Sequence, residues 1–366
     1  MADALWQRVL LVQTSFLGDT VLTLPLIAEI KRRFPAAHLA VLCNPAGYDI
    51  LQNHPAIDEL IVDDKRRADR GLSGLRRQAQ QLKEKSFSLA MTPHKSLRTA
   101  LLLWLAQIPH RVGFAQSAGW FLFHARAQRD PAQHDVVRNL AVLTPLGIKP
   151  EDCRQALHLP VGENLREKVA AKLAGLGYDS SLPAIGINPG SVWPMKRWSA
   201  AGFAQVVEQA CREYHCQAII FGGPEDRETA THIAALCQAK LINSAGVFSL
   251  TELPAAISFC KLFITNDSGP MHIAVARNIP TVAIFCATTP DLGFYPYSSN
   301  AIVVEKRLHC RPCSAHGGRR CPLGSADCVR LIEPALVLAA VRKLMDRQAR
   351  EGAAPAQPFT PEFLSV

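Results

Sequence analysis

The chain has 366 residues, nearly half of them hydrophobic, with 40 Lys and Arg against 31 Asp and Glu and a formal net charge of +9. That length is too great for one ordinary core and suits two domains. The most apolar segment, Thr99 to Ile108, has about half the residues a membrane span needs. The N-terminal "MADALWQRVLLVQ" lacks the charged region, apolar run and small-residue cleavage site of a signal peptide, so a cytoplasmic location is expected.

Strands are expected at "RVLLVQ" (8–13), "HLAVLC" (38–43), "ELIVDD" (59–64) and "FSLAM" (87–91), with the amphipathic patterns "VLTLPLIAEIKRRF" and "GLRRQAQQLKEK" between them. A second series runs through "AIGINPG" (184–190), "QAIIFGG" (217–223), "KLFITND" (261–267) and "TVAIFC" (281–286). Such alternation implies parallel sheets joined by right-handed crossovers. Two series predict two Rossmann-like halves, residues 1–160 and 161–332, joined near the polar, proline-containing "PEDCRQALHLPVGEN" (150–164). A helix from Glu333 to about Arg350 is expected to cross back toward the first half, and "EGAAPAQPFTPEFLSV" (351–366) reads as a loose tail.

The positive charge is clustered, as in "KRR" (31–33), "DDKRRADR" (63–70) and "RR" (319–320). Basic runs are most often solvated faces, and they also gather anionic partners. Aromatic residues are few and none is interleaved with these runs as a stacking platform, so no nucleic-acid partner is expected.

Five stretches carry candidate chemistry. In "QTSFLGDTVLTLP" (13–25) Asp19 opens a helix after a strand, either as a plain capping carboxylate or as a general base. In "HKSLRTALLLWLAQIPHRVGF" (94–114), Lys95, Ser96 and Arg98 stand at a strand end and Arg111 just beyond a helix, either solvated or suited to an anionic ligand. "NPGSVWPMKRWSAAGF" (188–203) places Ser191, Lys196 and Arg197 in a loop after a strand, a plausible phosphate clamp. "FGGPEDRETA" (221–230) follows a Gly-Gly turn with Asp226 and Glu228; acids suit a helix N-terminus and also ribose hydroxyls. "FITNDSGPMHIAVA" (263–276) ends a strand on Asn266 and Asp267 and starts a helix at Ser268, Gly269 and Pro270, with His272 one turn in. Ordinary helix capping is the favoured reading of that stretch taken alone, and an anion site at a helix N-terminus is the sharper alternative.

Taken in order, F-L-G-D, K-S-L-R, P-G-x-x-x-x-x-K-R-W, G-G-P-x-D-x-E and N-D-S-G-P-M-H-I-A resemble the ADP-heptose:lipopolysaccharide heptosyltransferases of glycosyltransferase family 9, over residues 8–345. The second-heptose enzymes are resembled more closely than the first. The resemblance implies a GT-B α/β architecture, two Rossmann-like domains with parallel sheets facing a central cleft, acceptor on the N-terminal side and nucleotide sugar on the C-terminal side. It implies inverting transfer of L-glycero-D-manno-heptose from ADP-heptose to the anionic lipopolysaccharide inner core, without a catalytic cofactor, in peripheral contact with the cytoplasmic membrane face. In that scheme Asp19 is the base and Lys196 holds the diphosphate or the heptose, with Ser191 beside it. Glu228 or Asp226 meets the ribose, Asp267 the heptose hydroxyls, and the Ser268 and Gly269 amides with His272 the departing phosphate. Lys95, Ser96, Arg98 and Arg111 meet the acceptor. Transfer to a protein side chain is the alternative reaction, and a non-catalytic nucleotide-sugar-binding module the alternative class.

Eleven cysteines without an export signal do not form a disulfide framework. Seven are scattered through apolar runs and read as core. "HCRPCSAHGGRRCPLGSADC" (309–328) brings Cys310, Cys313, Cys321 and Cys328 together at C-x2-C-x7-C-x6-C, a spacing that fits a closed tetrahedral thiolate site for structural Zn or Fe, with His309 or His316 as substitute ligands. Some related protein heptosyltransferases carry a four-cysteine iron site.

Overall fold

The computed structural model describes residues 6–350 and 359–365, apart from the side chains of 349 and 350. The chain divides into two compact units, Met1–Pro160 and Val161–Val366.

The first unit is built on β1 (Arg8–Gln13), β2 (His38–Cys43), β3 (Glu59–Val62), β4 (Leu89–Met91), β5 (His110–Phe114) and β6 (Ala125–Ala127). The sheet order is β3-β2-β1-β4-β5-β6 and every neighbouring pair is parallel. β1 is central and covered on both faces, which is why Val9 to Val12 form an unbroken apolar run without exposed surface. Leu10 and Val12 pack with Leu42, Leu75, Leu82 and Leu103 in one core; truncating a residue such as Leu10 to Ala would cost roughly 3 kcal/mol. The strands β5 and β6 lie outside the sequence expectation. β5 opens His-Arg and contains Gly113, and β6 has three residues around an exposed Arg126, so neither shows an apolar pattern.

The helical pattern after β1 is two helices, Leu17–Leu22 and Leu24–Arg33. The break falls at Thr23, whose hydroxyl donates to the Asp19 carbonyl at 2.7 Å, just ahead of Pro25, which has no N–H to continue the ladder.

In the second unit the strands are β7 (Ala184–Asn188), β8 (Gln217–Ile220), β9 (Leu241–Asn243), β10 (Leu262–Asn266), β11 (Thr281–Phe285), β12 (Ala301–Glu305) and β13 (Glu362–Ser365). Their order is β13-β12-β11-β10-β7-β8-β9, again all parallel. The helix Pro334–Arg350 packs on helix Ala200–Tyr214 and on β10 to β12, because its stripe of Val337, Leu338, Val341 and Leu344 completes the second core. One expectation is corrected here: the chain end is not loose throughout. Residues 351–358 lie outside the described residues, but Glu362–Ser365 adds strand β13 to the sheet edge, where Glu362 pairs with Lys343 and with Arg347 of that helix.

Each sheet reverses its strand order once, between β1 and β4 in the first unit and between β7 and β10 in the second. Loops at the carboxyl ends of such neighbours splay apart and leave a crevice for a ligand. Asp19 follows β1, Lys95 and Ser96 follow β4, Ser191 and Lys196 follow β7, and Asp267 follows β10.

Candidate active site

At the switch between β7 and β10, Asn266 joins the two loops: its side-chain amide donates to the Pro189 carbonyl at 2.7 Å, and its oxygen accepts the Trp198 backbone N–H at 3.1 Å. Trp198 is buried and its indole donates to the Ile332 carbonyl at 3.0 Å, so the chain on either side of Lys196 is fixed. Lys196 ends a short 3-10 turn, Pro194–Lys196, and its ammonium lies 2.6 Å from Asp267 Oδ2. The Thr288 hydroxyl donates to the same oxygen at 2.7 Å. Asp267 is thus clamped by two donors in a buried setting.

Directly after it, Ser268 caps helix Gly269–Ala276 in extended conformation. Its hydroxyl is held by Asn188 Nδ2 at 3.2 Å and lies 3.3 Å from Thr265 Oγ1, so it caps no amide of its own helix. Pro270 has no N–H, which leaves the Ser268 and Gly269 amides as the donors opening the helix. His272 is buried, and burial pushes its imidazole down to about 4, against the opposing pull of Asp267. It is therefore neutral near pH 7, and its Nδ1 has no hydrogen-bond partner among the described residues. A cation, two amides and a neutral imidazole around one helix start make a site for the charge that grows on a leaving phosphate.

The two acidic candidates at the β8 end separate. Asp226 is buried; its Oδ2 accepts the Gly223 N–H at 3.0 Å, and a Cβ on Gly190 would stand 2.4 Å from it, so this carboxylate is closed behind the Gly190 loop. Burial raises its pKa. Glu228 is exposed in the first turn of helix Arg227–Leu236. Ser191 is half-buried, and its carbonyl accepts from Arg197 Nε at 2.8 Å.

In the first unit Asp19 lies in the opening turn of its helix, where Oδ2 accepts the Phe16 N–H at 3.1 Å. The capping reading is therefore correct as far as it goes. Its surroundings add more: crowding against water, then the charge of Asp135, push its carboxyl up to about 7. Asp135 is itself held, 2.7 Å from Arg129 and 3.6 Å from Arg138. Asn139, on helix Asp135–Leu140 with Asp135, donates to Asp135 Oδ2 at 3.4 Å and to the Leu22 carbonyl at 3.2 Å, which ties that helix to helix Leu17–Leu22. A carboxylate poised near neutrality is suited to taking a proton from a hydroxyl.

The proposed acceptor cations divide. Lys95 is exposed and Ser96 caps helix Leu97–Leu105, both at the carboxyl end of β4. Arg98 turns back to Asp63 at 3.0 Å and the Asp69 carbonyl at 2.9 Å. Arg111 sits level with Ala90, short of the strand end, with its guanidinium on the Leu122 carbonyl at 2.9 Å and the Ile108 carbonyl at 2.5 Å. It is built into the sheet, and the structure does not bring it to Lys95 and Ser96.

Residues 75–322 match the sequence profile of glycosyltransferase family 9 (heptosyltransferase). The chain belongs to that family. It is 29% identical over 307 residues to lipopolysaccharide heptosyltransferase 2 of Salmonella typhimurium, covering 81% of this chain and 88% of the relative. Among solved structures, a family 9 glycosyltransferase from Veillonella parvula superposes with a TM-score of 0.85 at 28% identity, covering 93% of this chain and 98% of the other. The ADP-heptose lps heptosyltransferase II of E. coli gives 0.77 at 27% identity, covering 94% and 100%. This family 9 enzyme is a glycosyltransferase of the GT-B α/β class, with a parallel sheet in each unit.

The four-cysteine expectation is not met. Among the described residues no three His, Cys, Asp or Glu side chains gather as a metal-holding group. Cys328 lies buried in the second core, pushed up to about 11 by burial, while Cys310 is exposed. Cys313 and Cys321 lean on the same core, and Cys321 Sγ accepts the Ala326 N–H at 3.4 Å, which with neighbouring amides lowers its pKa. The four thiols lie near enough to act on one another's charge, with Cys313 and Cys321 against the core that holds Cys328, but they do not close into a metal-holding group.

What the loop does contribute was not legible from spacing. Arg311, buried, reaches Glu305 at 3.1 Å and donates to the carbonyls of Phe285 and Thr288. The Cys313 N–H donates to the Ala287 carbonyl, and the Ala287 N–H to the Met195 carbonyl. His316 stacks on Trp193, and Gly317, at φ +90°, leaves Lys196 Cγ only 3.0 Å from where a Cβ would be. The loop thus walls and braces the lysine turn. Thr288, Asp135 and Arg311 carry no sequence signal of their own, since only packing brings them to these partners.

Proposed function

We propose that this enzyme transfers L-glycero-D-manno-heptose from ADP-heptose to the inner core of lipopolysaccharide, working peripherally at the cytoplasmic membrane face; its Salmonella relative is named lipopolysaccharide heptosyltransferase 2. The observation that carries the reading is the Lys196 and Asp267 pair set at the opening of helix Gly269–Ala276. Fixed donors aimed at a departing diphosphate supply the largest stabilisation in such a reaction.

Asp19, ionised, accepts the proton of the acceptor hydroxyl as that oxygen attacks the anomeric carbon from the face opposite the leaving group, which inverts the configuration. The bond from that carbon to the diphosphate breaks, and the electron pair goes to ADP. Lys196, the Ser268 and Gly269 amides and the neutral His272 meet the charge, so the chain's own groups do what a divalent cation does elsewhere. Asp267 orients heptose hydroxyls. Exposed Glu228, in preference to enclosed Asp226, meets the ribose, and Ser191 borders the phosphates. Lys95 and Ser96, with Arg98 released from Asp63, face the anionic acceptor; Arg111 supports them through the sheet.

The test is transfer from ADP-heptose to a Kdo-lipid, to its mono-heptosylated form and to an autotransporter peptide in parallel. Product on the mono-heptosylated lipid is expected; product on the peptide alone would overturn the acceptor. Asp19→Asn should abolish transfer while ADP affinity stays within about twofold, well under the tenfold that 1.4 kcal/mol represents.

A further inference from the structure

Helix Leu97–Leu105, "LRTALLLWL", is apolar nearly all round. A helix of that composition is normally buried on every side, yet this one shows a stripe to solvent: Leu97 is 48% exposed and Trp104 49%, with half-buried Leu101 between them at helical spacing. Against its first turn lies the turn Trp120–Leu122, close enough that a Cβ on Gly119 would stand 3.2 Å from Leu97 Cδ1. There Trp120 is 47% and Phe121 62% exposed, their rings 6.0 Å apart, edge to face. Four large apolar side chains thus share one surface, where scattered single ones would need no explanation.

The fixed charge of this segment has one sign: between Glu84 and Asp130 the chain contains no acidic residue. Arg126 lies over the Trp120 ring with Cζ 5.1 Å from its centroid, and Lys95 is exposed in the same segment. Tryptophan at the boundary, phenylalanine and leucine beyond it, and cations at the rim match an anionic bilayer surface, where aromatic rings sit at headgroup depth and long cations reach lipid phosphates.

We propose that this ridge, Leu97, Leu101, Trp104, Trp120 and Phe121 rimmed by Arg126, is a docking surface for an anionic lipid bilayer. Its use rests on the glycolipid acceptor proposed above, since Lys95 and Ser96, at the start of the same helix, would then meet a headgroup held at the bilayer surface.

The test is flotation of the full chain with vesicles of phosphatidylethanolamine and phosphatidylglycerol, against vesicles of phosphatidylcholine alone. No transfer reaction is involved, so failure here is distinct from failure of the acceptor assignment. The wild type should float with the anionic vesicles, less so as salt rises, and Trp104→Ser/Trp120→Ser/Phe121→Ser should bind at least about tenfold more weakly. The variant's transfer to a deacylated, water-soluble acceptor should be unchanged, which also reports its folding; Phe121→Ser and Arg126→Gln, tested singly, should each weaken flotation if the triple variant is unstable. Flotation of the variants equal to wild type, no flotation of the wild type, or a wild-type dimer that the variants dissolve would each overturn the proposal.

Discussion

Lys196 and Thr288 meet on a single oxygen of Asp267, at 2.6 and 2.7 Å. The lysine is charge-paired with the carboxylate, and on the proposed reading the threonine would keep that carboxylate in place while the ammonium binds phosphate. Lys196→Met should therefore lower kcat/KM for ADP-heptose by about 10² to 10³, the loss of one preorganised donor. Thr288→Val removes only the anchor and should raise the donor KM about fivefold, close to the worth of one hydrogen bond. Steady-state kinetics with varied donor separate the two.

With Asp19 as the proposed base, its ionisation should set the acid limb of the rate profile. Its carboxyl, raised by burial and by Asp135 from 3.8 to about 7, must be ionised to act, so kcat/KM should fall as pH drops below about 7. Stability runs the other way. The folded chain holds this proton more tightly than the unfolded chain, so stability is lost as pH rises from about 4 through about 7. Asp19→Asn escapes that loss, and at pH 8 the inactive variant should be more stable than wild type by on the order of 1 to 2 kcal/mol, allowing for the solvent the side chain still reaches. Urea unfolding at pH 5 and pH 8 checks the sign: the gap should be present at pH 8 and shrink at pH 5.

Asp135 does not touch the reacting atoms on this reading; it acts through Asp19. Removing its charge while Arg129 and Arg138 remain should make Asp19 a stronger acid. Asp135→Asn is expected to shift the acid limb to lower pH, with Asn139 still able to bridge the helices. A limb that stays in place would show that burial alone governs Asp19.

Arg311 braces the lysine turn from the cysteine loop. Arg311→Met leaves Glu305 and the Phe285 and Thr288 carbonyls without their shared buried donor. A loss of about 3 kcal/mol in denaturant unfolding is expected, the cost of breaking a buried ion pair from one side.

Much of this enzyme is written locally. Continuous apolar runs such as Val9 to Val12 in β1 and Leu262 to Ile264 in β10 can only be central strands covered on both faces, so two parallel sheets follow from the chain alone. Lys196, Asp267, Ser268 and His272 could be picked out as candidates for a related reason: each lies in the loop or helix start that follows a strand whose own pattern is strong. Packing decided the rest. The edge strands β6 and β13 have too few buried positions to show a period, and Arg111 was drawn to carbonyls no spacing reveals. Thr288 and Asp135 act from other elements on Asp267 and Asp19, and pairings across space leave no mark on a one-dimensional pattern, because a side chain's partner is chosen by which strands and helices come to lie together.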